Sequence, residues 1–247
     1  MIIDIHAHIW GGDMLEFSKN NVREGIRRGK LDRVYVSGLR SYMSDAEEVH
    51  ALNQYVYEFM QEDPQHIGGA VYVNPALDNT MDEIKRACEE RGFEMIKLWV
   101  ATYADEPCVD PVMEYAEANG IPVLFHAFHK AGGQVAHEST GIHMANIARR
   151  HPKTKILMAH LGGNAYNGIP AIRDLPNVWC DQSGTIYHGD DVNYAVEYLG
   201  ADRILYGTDN ATCVNIGQIM GADLTQEERE LIFYKNAQKI LDRNFKL

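Results

Sequence analysis

Short runs of β-branched and aliphatic residues recur along the whole chain, at residues 2–6, 33–37, 68–73, 94–100, 122–126, 155–160, 177–181 and 203–207. Each is long enough for a strand, and turn-forming or polar residues flank most of them. Their starts lie 22 to 35 residues apart, and a strand with its crossover helix takes about 30 residues. Each interval therefore holds one strand–helix unit. Between them the period changes to that of a helix: Ala46, Val49, Leu52, Tyr55, Val56 and Phe59 fall at steps of three and four and form one apolar stripe. Ser44 is the expected N-cap of that helix, with Glu47 completing a capping box. Helices over 81–91 and 112–119 are expected to stop at Gly92 and Gly120, since glycine accepts the left-handed backbone that follows a helix. A helix over 142–150 ends ahead of Pro152, and Thr225 with Glu228 opens a last one reaching about Asp242. The 169–175 connection has room for one turn.

Eight strands alternating with helices predict a single (β/α)8 TIM barrel occupying residues 1–247 as one domain. A doubly wound open sheet is the alternative, but no G-x-G-x-x-G follows the first strand to support a dinucleotide site. Neither an internal repeat nor a linker interrupts the pattern.

Composition narrows the partners. With 45% hydrophobic and 23% charged residues the chain is too apolar for disorder. Lys and Arg total 23 against 35 for Asp and Glu, a net charge of −12. That balance repels phosphate backbones and argues for a small-molecule substrate and no nucleic acid. No apolar run reaches the 18 residues that suggest a membrane span, and Asp4 and His6 interrupt the apolar start too early for a signal peptide. The four cysteines, Cys88, Cys108, Cys180 and Cys213, are scattered without a C-x-x-C pair and read as reduced thiols of a cytoplasmic protein. A homodimer is compatible with a barrel of this kind.

The chemistry sits where the predicted strands end, the face on which barrel active sites form. The first strand carries Asp4-Ile5-His6-Ala7-His8. Residues two apart share one side of a strand, so His6 and His8 can hold one ion together. The fifth strand ends at His126, the sixth at His160, and the eighth leads to Asp209. A single histidine at a strand end is most often a satisfied polar residue. The combination is different: it gives a mixed nitrogen and oxygen set with room left for water, suited to a catalytic divalent metal, zinc first, with manganese or iron also compatible. His50, His143 and His151 fall in predicted helices and His66 in a connection, while His129, His137 and His188 read as loop residues.

The stretches IDIHAHIW, GFEMIKLWV, EANGIPVLFHAF, IARRHPKTKILMAHLGG, NVWCDQSGT, DRILYGTDN and YKNAQKIL follow one another in order along nearly the whole chain. In them the sequence resembles the amidohydrolase superfamily, and most of all its branch of small metal-dependent hydrolases and non-oxidative decarboxylases such as aminocarboxymuconate semialdehyde decarboxylase. The resemblance implies His6, His8, His126 and Asp209 as metal ligands, and His160 as a catalytic acid or a ligand to a second ion. Lys97 lies where binuclear members of the superfamily carry a carboxylated lysine. Here it has three possible roles: that one, contact with an anionic substrate group, or pairing with Asp181. TatD-like nucleases share the barrel and the H-x-H but place a metal-binding Glu on the fourth strand. Glu94, three positions before Lys97, faces the other way.

Such a site hydrolyses an amide or lactone when Asp209 takes a proton from water activated by the ion and His160 stabilises the oxyanion or protonates the leaving group. The alternative is decarboxylation of a small unsaturated or aromatic acid, with Asp209 delivering a proton to carbon. Arg40, Lys97 and Lys130 are the candidate cations for substrate carboxylates, and Trp10, Trp99, Tyr103, Tyr166 and Tyr187 the candidate walls. Gly162-Gly163 reads as a tight turn, and Asp181 and Ser183 as supports behind the site. A non-catalytic metal-binding barrel is disfavoured, because a structural zinc site is closed and cysteine-rich whereas this set includes no cysteine and retains Asp209 and His160.

Overall fold

A computed structural model describes residues 1–184 and 190–247. The strands are β1 (Ile3–Trp10), β2 (Arg33–Leu39), β3 (Ile67–Tyr72), β4 (Met95–Leu98), β5 (Val123–Phe125), β6 (Ile156–Met158), β7 (Val178–Asp181) and β8 (Ile204–Leu205). They form one 8-stranded sheet in sequential order, every adjacent pair parallel. The ring closes by backbone bonds: Ile5 N donates to Tyr206 O at 3.1 Å, and Thr208 N and Asp209 N donate to His6 O at 3.2 and 2.7 Å. Helices α1 (Leu15–Gly29), α2 (Ala46–Glu62), α3 (Thr80–Lys85), α4 (Asp110–Asn119), α5 (Gly141–Arg150), α6 (Ala165–Ile172), α7 (Asp191–Leu199), α8 (Thr212–Gly221), α9 (Gln226–Glu230) and α10 (Asn236–Leu241) follow the strands. This is the expected (β/α)8 barrel.

Strand periodicity explains the two cores. Leu124 of β5 and Leu157 of β6 face the barrel interior with Ile3, Ile5, Met95, Trp179 and Leu205. Their neighbours Val123, Phe125, Ile156 and Met158 face the helices, as alternation along a strand requires. Ala237 and Ile240 of α10 join the interior set and Phe245 packs against it, so the C-terminal segment plugs the bottom. Lys155 holds it there, donating to Gly120 O, Ile240 O and Asp242 O at 3.1, 2.9 and 2.6 Å.

Several local expectations are corrected. β1 continues to Trp10 instead of ending near His6, and β5, β6 and β8 are shorter than the apolar runs that announce them. Asp45, not Ser44, caps α2 by accepting from Glu48 N, because the Ser44 hydroxyl is spent on Ser41 O and Glu48 Oε1. The connection around 169–175 carries α6, which begins earlier, at Ala165, behind the Asn164 cap. The expected last helix is interrupted by a π-turn, Leu231–Lys235, between α9 and α10; its opening Thr225–Glu228 capping box is present. Gly92 and Gly120 do take the left-handed conformation, at φ 76° and 63°. All four cysteines are free.

Candidate metal centre

His6 and His8 reach the interior because β1 changes phase. Ile3 and Ile5 belong to the barrel interior, while Ala7 and Ile9 belong to the outer core. The register with β2 slips between Asp4 and Ala7, and that bulge puts Ile5 and His6 on the same side. Beyond it, His6 and His8 both point inward, their Nε2 atoms 3.0 Å apart. His160 enters by another irregularity. Ala159 already faces the interior, and His160 and Leu161 then take left-handed φ values of 60° and 48°, followed by Gly162 and Gly163 at 77° and 78°. The left-handed turn swings the ring back over the barrel, where His160 Nε2 lies 3.2 Å from His126 Nδ1. Asp209, at φ 47°, places Oδ1 3.4 Å from His8 Nε2. Lys97 Nζ donates to His6 Nε2 at 3.1 Å.

Each imidazole is held from behind by a polar partner. His6 Nδ1 lies 3.0 Å from Asp181 Oδ2 and 2.9 Å from Ser183 Oγ, whose own proton is taken up by Asp181 Oδ1. His160 Nδ1 lies 3.2 Å from the Ser183 carbonyl and 3.0 Å from its hydroxyl. His8 Nδ1 lies 2.8 Å from Ser37 Oγ. His126 Nε2 lies 2.9 Å from the Glu138 carboxylate. Carboxylates and carbonyls only accept, so His6, His126 and His160 carry their protons on these outer nitrogens. Ser37 meets His8 Nδ1 through a hydroxyl, which can either accept or donate.

The inner nitrogens of His6, His126 and His160 therefore present lone pairs. His6 Nε2 faces His8 Nε2, and His126 Nδ1 faces His160 Nε2, at 3.0 and 3.2 Å. His6 Nε2 already accepts from Lys97 Nζ, but the His126 and His160 lone pairs meet with no proton between them, an arrangement that calls for an electrophile. Burial, reinforced by the neighbouring imidazoles and Lys97, holds the His8 and His160 pKa values well below the ordinary range, and burial also lowers that of His126. These rings are neutral at pH 7 and can act as ligands. Burial works against the Asp181 carboxylate, but His6, His160 and Ser183 outweigh it and keep it ionised. One atom each from His6, His8 and Asp209 lies within 4.8 Å of the others, as does one each from His6, His160 and Asp181. The donor set fits a divalent cation, with the outer partners supplying the orientation that metal-binding histidines require.

An amidohydrolase family model matches residues 3–243. The chain belongs to the amidohydrolase family. None of the curated proteins matches it in sequence, but solved structures share its fold. A 2,6-dihydroxybenzoate decarboxylase from Rhizobium has a TM-score of 0.77 at 16% identity over 97% of this chain and 98% of its own. A dihydroxybenzoic acid decarboxylase from a Polaromonas species, with bound manganese and the inhibitor 2-nitroresorcinol, gives 0.77 at 17% over 97% and 96%. A 4-oxalomesaconate hydratase from Rhodopseudomonas palustris gives 0.71 at 18% over 98% and 96%.

In this amidohydrolase the other expected substrate contacts are dispersed. The Arg40 guanidinium lies over Gly12 and lines a cleft of about 250 Å³ with Asp45, Glu47 and Glu48, none of the four histidines taking part. Lys130 is taken up by Glu138 at 2.8 Å. Trp10 lies beside His8, ring centroids 6.4 Å apart, and meets Trp99 edge-on at 5.8 Å. Tyr103 stacks on His143 at 4.6 Å, and Tyr166 packs against Tyr194 while staying largely exposed. Tyr187 and His188 lie outside the described residues. Glu94 precedes β4 and pairs with Arg33 at 2.7 Å. The residues that sequence reasoning missed are Ser37 and Glu138. Only the place of Ser37 on β2, directly paired with His8, carried any signal.

Proposed function

We propose that this amidohydrolase is a metal-dependent non-oxidative decarboxylase of a small unsaturated or aromatic carboxylic acid. His6, His8, His126 and Asp209 would hold the ion. Three imidazoles with one carboxylate favour zinc, and manganese is the second metal to test. When bound, the ion supplies a Lewis acid that grips anionic oxygen and steadies the charge that develops there.

The observation that carries this reading is Lys97. It is fully buried beside the candidate ligands, bonded to His6 Nε2, and it forms no ion pair among the described residues. A buried ammonium without a carboxylate partner is costly unless an anion arrives to pair with it, and a substrate carboxylate is such an anion. The fold likeness to two decarboxylases supports the same chemistry. Asp209, the member of the set with its side chain 34% exposed, exchanges the proton: the carbon that loses CO2 gains one hydrogen, so RCOO⁻ and H⁺ become RH and CO2. His160 Nε2 faces the same space and can hold a proton at that atom, with Ser183 fixing its other nitrogen. Trp10 and Trp99 supply apolar walls next to His8.

Hydrolysis of an amide or lactone is the second reading, favoured by that same exposure of Asp209, which leaves it open to water. Incubating the zinc- and manganese-loaded protein with a panel of hydroxybenzoates and short unsaturated diacids tests the first reading through CO2 release. A parallel panel of lactones and N-acyl amino acids, followed by acid release, tests the second. Turnover in the first panel that Lys97→Met abolishes is expected. Turnover confined to the second would overturn the decarboxylase assignment.

A further inference from the structure

We infer that Glu138 is a positioning residue that fixes which nitrogen of His126 faces the metal centre. Glu138 lies in the loop that leaves β5, twelve residues past His126, and it is 3% exposed. Its carboxylate meets four donors. His126 Nε2 is at 2.9 Å, Lys130 Nζ at 2.8 Å, Gln134 Nε2 at 2.8 Å and Val135 N at 3.1 Å. The loop is tied into shape around it. Gln134 Nε2 donates to Phe128 O at 2.6 Å, Lys130 N to Gln134 Oε1 at 3.0 Å, and Phe128 N to Ser139 O at 2.8 Å. It is also fastened to its neighbours, because His129 N donates to Gly162 O at 2.8 Å and Ala104 N to Ser139 Oγ at 2.9 Å.

Four donors converge on the two Glu138 oxygens, among them the Lys130 ammonium and the Val135 backbone N–H, so the group serves as an acceptor on every side. With both oxygens accepting, His126 must donate from Nε2. Its remaining lone pair is then on Nδ1, the atom that points at His160. His6 is held at Nδ1 by Asp181 and offers Nε2, whereas His126 is held at Nε2 and offers Nδ1. Reversing the ring would set its lone pair against the carboxylate and turn its N–H towards the metal centre. Outer carboxylates of this kind typically contribute 10–100-fold to metal affinity.

The inference rests on His126 being a metal ligand, and the test separates the two claims. Zinc affinity is measured by competition with a chromophoric chelator on wild type, Glu138→Gln, His126→Ala and the double variant. Visible spectra of the cobalt-loaded proteins are recorded beside it. Glu138→Gln is expected to weaken zinc 10–100-fold and to change the cobalt band, and to add nothing further in the His126→Ala background. Should Glu138→Gln fail to fold, as judged by circular dichroism, Glu138→Asp is read in its place. A large loss on His126→Ala with none on Glu138→Gln, or an equal Glu138→Gln loss in both backgrounds, would overturn the positioning role alone. An affinity unchanged by His126→Ala would overturn the ligand assignment, and this inference with it.

Discussion

Replacing Lys97 by Met should make the metal-free protein more stable while abolishing its activity. Lys97 is wholly buried and bonds only to His6 Nε2 among the described residues. Burial lowers its pKa from an ordinary 10.5 to about 8, although Asp181 and Asp209 pull it upward. At 1.36 kcal/mol per pKa step, that fall costs folding about 3 kcal/mol at pH 7. The folded chain holds this proton less tightly than the unfolded one. The cost is therefore complete below about pH 8 and fades as pH rises towards 10.5. Methionine has nearly the same length and no charge to desolvate. In a chain of this size 1 kcal/mol moves the melting temperature by about 2–4 °C, so Lys97→Met should melt roughly 6–12 °C higher at pH 7. It should also lose the gain in stability that the wild type shows between pH 8 and 10.5. Thermal and urea unfolding with chelator present, from pH 7 to 10.5, measure both. A metal-free variant that melts at or below the wild type at pH 7 would refute the reasoning.

Other expectations follow from the same geometry. At Gly163, φ is +78° and an added Cβ would lie 2.5 Å from His129 N and 2.7 Å from Phe128 Cα. Gly163→Ala should therefore cost about 3 kcal/mol in urea unfolding. Gly217 has open space around its Cβ position in α8, so Gly217→Ala should gain up to about 1 kcal/mol. Asp4 is buried within β1 and accepts from Thr208 and His6, and burial raises its pKa to about 7. The folded chain then binds this proton more tightly, and the stability it contributes disappears as pH rises from about 4 through 7. Asp4→Asn keeps the acceptor and can donate to the Thr208 hydroxyl, so unfolding between pH 4 and 8 should lose that component. An unchanged pH slope would show that Asp4 is not its source.

The barrel was legible because its signal is periodic. Eight apolar runs at spacings that fit one strand and one helix leave few other folds, and the parity of Leu124, Leu157 and Lys97 on their strands follows at once. The histidines that carry the candidate centre are less regular. His6 and His8 were found by their spacing, but what turns them inward is a bulge at Asp4–Ala7, which no alternation rule predicts. His160 depends on consecutive left-handed residues, and only its Gly162-Gly163 tail marked a turn. Glu138 was invisible, because a loop of polar residues carries no period and its partner lies twelve positions back. For the same reason Lys130 read as a free cation when its charge is taken up by Glu138, and Arg40, close to the mouth in sequence, leans over Gly12 instead.

Zinc binding by the purified, chelator-stripped protein tests the central claim most directly, with elemental analysis after reloading and His6→Ala measured beside the wild type. The close grouping of His6, His8 and Asp209 ligand atoms predicts about one firmly held ion per chain in the wild type and none in the variant. A wild type that takes up no zinc or manganese, or a His6→Ala protein that keeps the ion with unchanged affinity, would contradict it.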